Sequence, residues 1–150
     1  MNKTIAGLQT IIENYTPLLK KVNETSFRAK PLPGKWSKIE ELGHMVDSAQ
    51  SNIRRFIVAQ YEDQPHIVYR QDEWAAISNY QDYPVNDLIE FWVLINRHIC
   101  MILKNTPAEK AKRLVITQNI HSIEWLAADY NKHLLHHLHH LLELEPVPYP

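Results

Sequence analysis

The chain has a single cysteine, Cys100, which excludes an intrachain disulfide and makes a reducing interior the natural expectation. Neither sign of charge dominates: 16 basic residues against 17 acidic ones leave a formal charge of −1. That balance offers no electrostatic case for nucleic acid. No apolar run is long enough to span a bilayer, and Met1–Ala6 lacks the apolar core of a signal peptide, so a cytoplasmic location is expected. Internal repeats are absent, and so is low complexity outside one cluster of histidines. Proline and glycine are both missing from Ser122 to Glu145, where leucine and alanine abound, so that stretch reads as one long helix.

The histidine cluster lies on this helix. Residues 133–140 hold five of the nine histidines, interleaved with leucines, unlike an appended histidine tag. Residues four apart share a helix face, so His133 with His137, or His136 with His140, can present two imidazoles to one ion. Leu126, Ala127, Tyr130, Leu134, Leu138 and Leu141 form one apolar arc at about 100° per residue. His137 falls within that arc and His133 at its edge, which makes them the inward pair. Spacing alone leaves open a solvated histidine-rich face, because two histidines supply only part of a coordination sphere.

The 150 residues suit one domain with a substantial core. An apolar stripe of helical period runs from Thr4 to Asn23, with Pro17 expected to kink or break it. Pro31, Pro33 and Gly34 mark a loop. Ser37 and Glu40 then fit a capping box that starts a helix from Lys38 to about Glu62. Residues 63–83 form a long connection with a helical turn near Glu73–Ile77, and connections of this length are often functional. Another helix spans about Pro84 to Asn105 and carries His98, read as a surface or capped residue, and Cys100, read as a buried thiol. Arg113–Thr117 reads as extended, Ser122 as the cap of the last helix to about Leu144, and the tail 146–150 as extended. Four substantial helices and no convincing sheet imply an all-α four-helix bundle.

Three motifs in this order resemble the DinB superfamily: Pro33-Gly34-Lys35-Trp36-Ser37, then Gly43-His44-Met45-Val46-Asp47-Ser48, then the HxxxH of the last helix. Together with Tyr69–Trp74, they are most similar to its YfiT-like branch of metal-dependent hydrolases and bacillithiol transferases. The resemblance covers nearly the whole chain. It implies an up-down-down-up bundle, in which residues 63–83 cross over between two parallel helices. It also implies one divalent metal ion held by His44, His133 and His137, and a homodimer. His44 lies about 9 Å into its helix, and His137 and His133 about 10 and 16 Å from the end of theirs, so an antiparallel pair brings them to similar heights. Periodicity points the other way for His44, which shares a side with Glu41, Ser48 and Arg55 opposite the apolar face and so reads as solvated. The two readings meet if the site occupies a cleft on the flank of the bundle under the 63–83 loop. A His44 ring more than about 6 Å from His137 would rule the three-histidine site out, given zinc–nitrogen bonds near 2.0–2.1 Å.

Three imidazoles with open positions suit a catalytic ion, zinc or nickel foremost, with iron, cobalt and manganese as alternatives. Such an ion would activate water for hydrolysis or hold a thiol as thiolate. The resemblance implies transfer of a low-molecular-weight thiol to a small electrophile, or hydrolysis of a small substrate. The alternative is a non-catalytic metal-binding or stress-associated protein. Cys100 has no spacing that makes it a nucleophile. Asp47 and Asp129 lie where a carboxylate could accept the outer N–H of a ligating histidine but read as surface groups, and Trp74 and Tyr130 read as packing aromatics near a pocket.

Overall fold

In the computed structural model of the chain, residues 1–149 are described. Ser37 opens a capping box: its Oγ accepts from the Glu40 amide at 3.4 Å, and Glu40 Oε2 accepts from Ser37 N at 2.7 Å. The helices are α1 (Asn2–Lys21), α2 (Glu24–Arg28), α3 (Lys38–Val58), α4 (Gln71–Ser78), α5 (Val85–Lys104), α6 (Ala108–Ala111) and α7 (Ile123–Leu141). Ser122 caps α7 by accepting from the Trp125 amide at 3.2 Å.

Contacts between the four long helices fix their directions. Lys20 near the end of α1 pairs with Glu90 near the start of α5 at 2.7 Å, so these two are antiparallel. Gln60 just past α3 donates to Thr106 just past α5 at 3.2 Å, so that pair is parallel. Lys38 at the start of α3 meets Glu143 just past α7 at 3.0 Å, which makes them antiparallel. Asn131 donates to the Thr4 carbonyl at 2.8 Å and Tyr15 meets His139 at 2.6 Å, so α1 and α7 advance together. The result is the up-down-down-up bundle. Leu8, Leu42, Phe56, Trp92, Ile99, Leu134 and Leu138 are fully enclosed at its centre. Each such side chain contributes about 1.5–3 kcal/mol by leaving water.

Several expectations from sequence need correction. Pro17 does not end α1, which continues to Lys21. Proline removes one helical N–H, but Pro17 and the Glu13 carbonyl it leaves unpaired sit on the exposed side, where water serves. A small antiparallel sheet is present, β1 (Leu114–Ile116) with β2 (Ile120–Ser122), pairing Val115 with His121. Three-residue strands are too short to show an alternating pattern. The crossover joins this sheet, since Ile67 N donates to the Ile116 carbonyl at 2.9 Å and Ile116 N to that of Pro65 at 3.0 Å. Finally, α7 stops at Leu141 rather than near Leu144.

That early stop reverses the chain. Glu143 adopts the left-handed conformation (φ 57°), and Leu144 N donates to the His139 carbonyl at 2.9 Å, closing the helix end. The tail then runs back along α7. His139 donates through Nδ1 to the Glu145 carbonyl at 2.6 Å and His136 to that of Val147 at 3.0 Å, and Tyr149 donates to Asp129 at 2.8 Å. Residues 146–149 form no helix or strand, and Pro150, the end of the tail expected to be extended, lies outside the described residues. Among the described residues no helix is long and apolar enough to cross a membrane.

Candidate metal centre

From Glu41 to Ala49 every residue of α3 is buried, whatever side of the helix it occupies. The helix packs against α5 and α7, while α4 and the 3-10 turn Tyr80–Asp82 cover a further side. The flank that periodicity assigns to solvent is therefore enclosed. Glu41, His44, Asp47 and Ser48 are 6, 1, 1 and 5 % exposed. The covering crossover sits close because Gly43 has no side chain: a Cβ there would stand 2.1 Å from the Tyr80 ring. Ser37 Oγ also donates to Gln81 at 2.8 Å, which ties the crossover to the start of α3.

The structure gathers His44, His133 and His137. One ring nitrogen from each lies within 4.8 Å of the others. The His44 ring centroid is 4.7 Å from that of His137 and 5.1 Å from that of His133. His44 Nε2 and His133 Nε2 face each other at 3.1 Å. Two nitrogens each about 2.1 Å from one ion stand about 3.0–3.4 Å apart for bond angles between 90° and tetrahedral, so the pair is spaced as two ligands would be. His136 and His140 are not part of this group. His136 faces the returning tail, and His140 Nδ1 reaches the rim of Glu41 at 2.8 Å.

The outer nitrogens are held as well. His137 Nδ1 donates to Glu41 Oε1 at 2.9 Å, which leaves its Nε2 directed away from the carboxylate. His44 Nδ1 meets the Tyr69 hydroxyl at 3.1 Å, and the Trp36 ring lies 4.9 Å from the His44 ring. The Tyr69 ring is in turn 5.6 Å from that of Trp74, edge to face. His133 Nδ1 is buried and has no partner among the described residues.

Burial, reinforced by the neighbouring His137, pushes the His44 pKa down to about 3. Burial and the other histidines hold His133 well below its ordinary value. Both rings are therefore neutral at pH 7, with lone pairs free to ligate. Burial acts to raise the pKa of Glu41, but hydrogen bonds from His137 and His140 outweigh it and keep the carboxyl below its usual range. A neutral, nitrogen-only donor set backed by one ionised carboxylate suits a divalent ion.

The two aspartates noted from sequence serve elsewhere. Asp47 accepts from the Tyr80 hydroxyl, and Asp129 from Tyr149. Glu41, which orients His137, was the residue sequence reasoning missed, although it shares the polar side of α3 with His44. Tyr130 is core, donating to Asn96 at 2.8 Å, whereas Trp74 is 39 % exposed. His98 is exposed and Cys100 buried, with its thiol pKa raised by burial. A cavity of about 470 Å³ opens beside the triad, bordered by His44 and His133 and extending past Ser48 and Asn52 to Arg55. Its size is that of a small-molecule site.

Comparisons with known proteins agree with this architecture. The sequence matches the DinB superfamily over residues 8–141. Among solved structures, YfiT from Bacillus subtilis, described as a probable metal-dependent hydrolase with an unusual four-helix bundle topology, superposes with a TM-score of 0.85. It is 18% identical, over 95% of this chain and 83% of its own. Mycothiol-dependent maleylpyruvate isomerase gives a TM-score of 0.74 at 14% identity, over 97% of this chain and 61% of its own. A histidine-to-alanine mutant of that isomerase gives 0.74 at 13%, over 98% and 64%. This chain thus spans less than two thirds of the isomerase. No curated protein matches the sequence.

Proposed function

The chain belongs to the DinB superfamily, and on that footing we propose that it is a divalent-metal-dependent enzyme with His44, His133 and His137 as its metal ligands. The reaction is transfer of a low-molecular-weight thiol to a small electrophile, with hydrolysis of a small substrate as the neighbouring possibility. The observation that carries the reading is the convergence of three ring nitrogens within 4.8 Å from two helices, directly beside a cavity of small-molecule size. The similarity to a mycothiol-dependent enzyme supports the thiol, at the level of the fold.

A divalent ion held there would supply Lewis acidity, favouring the thiolate of a bound thiol or the hydroxide of a bound water. The chain's own residues prepare for it. His44 and His133 are kept neutral by burial, so no proton has to leave before they ligate. Glu41 fixes the tautomer and orientation of His137, and Tyr69 restrains His44 from the crossover. The enclosure of His44, which is 1 % exposed, strengthens charge interactions on its side of the site.

The test is metal content by elemental analysis of untagged protein purified without a nickel column. About one equivalent per chain is expected, lost in His137→Ala and retained in His139→Ala, whose ring instead holds the tail. Absence of bound metal after reconstitution, or equal loss in both variants, would refute the ligand set.

A further inference from the structure

Three arginines of the chain are half-buried, and they differ in their partners. Arg28 pairs with Glu24 at 2.8 Å, and Arg113 faces Asp63 at 3.9 Å. Arg55 has only neutral acceptors: Nε and one terminal nitrogen donate to the Ile67 carbonyl at 3.3 Å, and the other donates to Asn52 Oδ1 at 3.3 Å. Among the described residues no carboxylate stands within ion-pair distance of it. Of the five N–H groups of a guanidinium, two are left without a partner. A partly desolvated charge without a counter-charge is costly, and Arg55 borders the cavity that also borders His44 and His133.

His44, Ser48, Asn52 and Arg55 follow one another at helical spacing, so they form a single polar stripe along α3. The guanidinium is held level with Asn52, eight residues from His44, which is about 12 Å along the axis at 1.5 Å per residue. Val68, Leu126 and Trp125 supply apolar surface to the same cavity. Its other charged lining residues are Lys132 and Asp129, whose carboxylate accepts from Tyr149, so the lining as a whole carries one net positive charge. One net positive charge fits a monoanion rather than a dianion such as phosphate, and a planar fork fits a carboxylate.

We propose that Arg55 forms a carboxylate-binding subsite at the far end of this cavity, so that the substrate is a small molecule carrying a carboxylate about 12 Å from the group delivered to the triad. The inference rests on the reading of the triad as the reacting end. Asn52 positions the guanidinium, the apolar side chains take the hydrocarbon between the two ends, and the carboxylate supplies the counter-charge that Arg55 lacks.

The experiment uses cobalt(II)-loaded protein, in which thiolate binding to the ion appears as a charge-transfer absorption. It is titrated with ω-mercaptoalkanoates of three to eleven carbons and with the matching ω-mercaptoalkanols. The expected result is an optimum at intermediate length, where the acid binds at least about tenfold tighter than the alcohol, within the range of a hydrogen bond to a charged group. Arg55→Gln removes that preference and leaves the alcohols unchanged, and Arg55→Lys keeps part of it with the charge in place. Arg55→Lys also guards against a fold defect in the Gln variant, checked by thermal melting. Equal affinity of acids and alcohols sends the test to calorimetry, with sulfur-free alkanoates titrated into protein saturated with a mercaptoalkanol. Binding lost in Arg55→Gln there assigns the carboxylate to the electrophile and sustains the proposal. If no thiol gives the absorption, the thiol reading fails by itself, and alkanoate binding that depends on Arg55 still upholds the subsite. Alkanoate binding equal in wild type and Arg55→Gln, with no acid preference among the thiols, overturns it.

Discussion

Replacing Gly43 by alanine puts a methyl group where the Tyr80 ring now lies, with a Cβ 2.1 Å from Cδ2, 2.2 Å from Cγ and 2.6 Å from Cε2. The ring is a buried, rigid plane whose hydroxyl is held by Asp47, so it cannot rotate away at no cost. Overpacking of this kind costs about 1–3 kcal/mol. If the ring moves, buried Asp47 loses its hydrogen-bond partner at a further cost of about 1–3 kcal/mol. Alanine offsets part of this, because it favours a helix interior over glycine by about 1 kcal/mol. The net loss is about 3 kcal/mol, read as a fall in denaturation midpoint and, at about 2–4 °C per kcal/mol for this chain length, a drop in Tm of about 6–12 °C. The decisive arm is the double variant. In a Tyr80→Ala background the obstructing ring is gone, so Gly43→Ala should stabilise by up to about 1 kcal/mol through helix propensity alone. A reversal of sign between the two backgrounds is therefore expected. The reasoning fails if Gly43→Ala lowers stability equally in both, or raises it in the otherwise intact chain.

Glu41→Gln keeps the shape beside His137 but removes the charge that orients it, so metal affinity by chelator competition should fall about 10–100-fold. Unchanged affinity would show that Glu41 is merely buried. Asp47 has its pKa raised from 3.8 to about 6, by burial that outweighs the hydrogen bond from Tyr80. The folded state therefore binds its proton more tightly than the unfolded state, a contribution fully present below about pH 4 and lost as pH rises through about 6. Relative to wild type, Asp47→Asn should gain up to about 3 kcal/mol of unfolding free energy across that window and stay level above it. Urea unfolding from pH 4 to 8 measures this, and a difference independent of pH would contradict the assignment.

Much of the architecture was legible in the residues themselves. Helical periodicity, the Ser37–Glu40 box and the Ser122 cap are local effects, set by neighbours three or four positions away, so four long helices and most of their boundaries could be read directly. The apolar arc of α7 also selected the histidines that the structure brings to His44. The fate of His44 was decided only in three dimensions. A helical wheel assumes one buried face, but α3 is covered by α5, α7 and the crossover, so its polar side is buried as well. The same enclosure makes Glu41 a partner of His137, neutralises His44 and leaves Arg55 facing a cavity without a counter-charge. The role of His136 and His139 in holding the tail likewise depends on the left-handed turn at Glu143, a position where no glycine signals it. Local spacing thus determined which side chains share a helix face. Burial and the close approach of residues about ninety positions apart belong to packing between helices, which no single segment of the chain encodes.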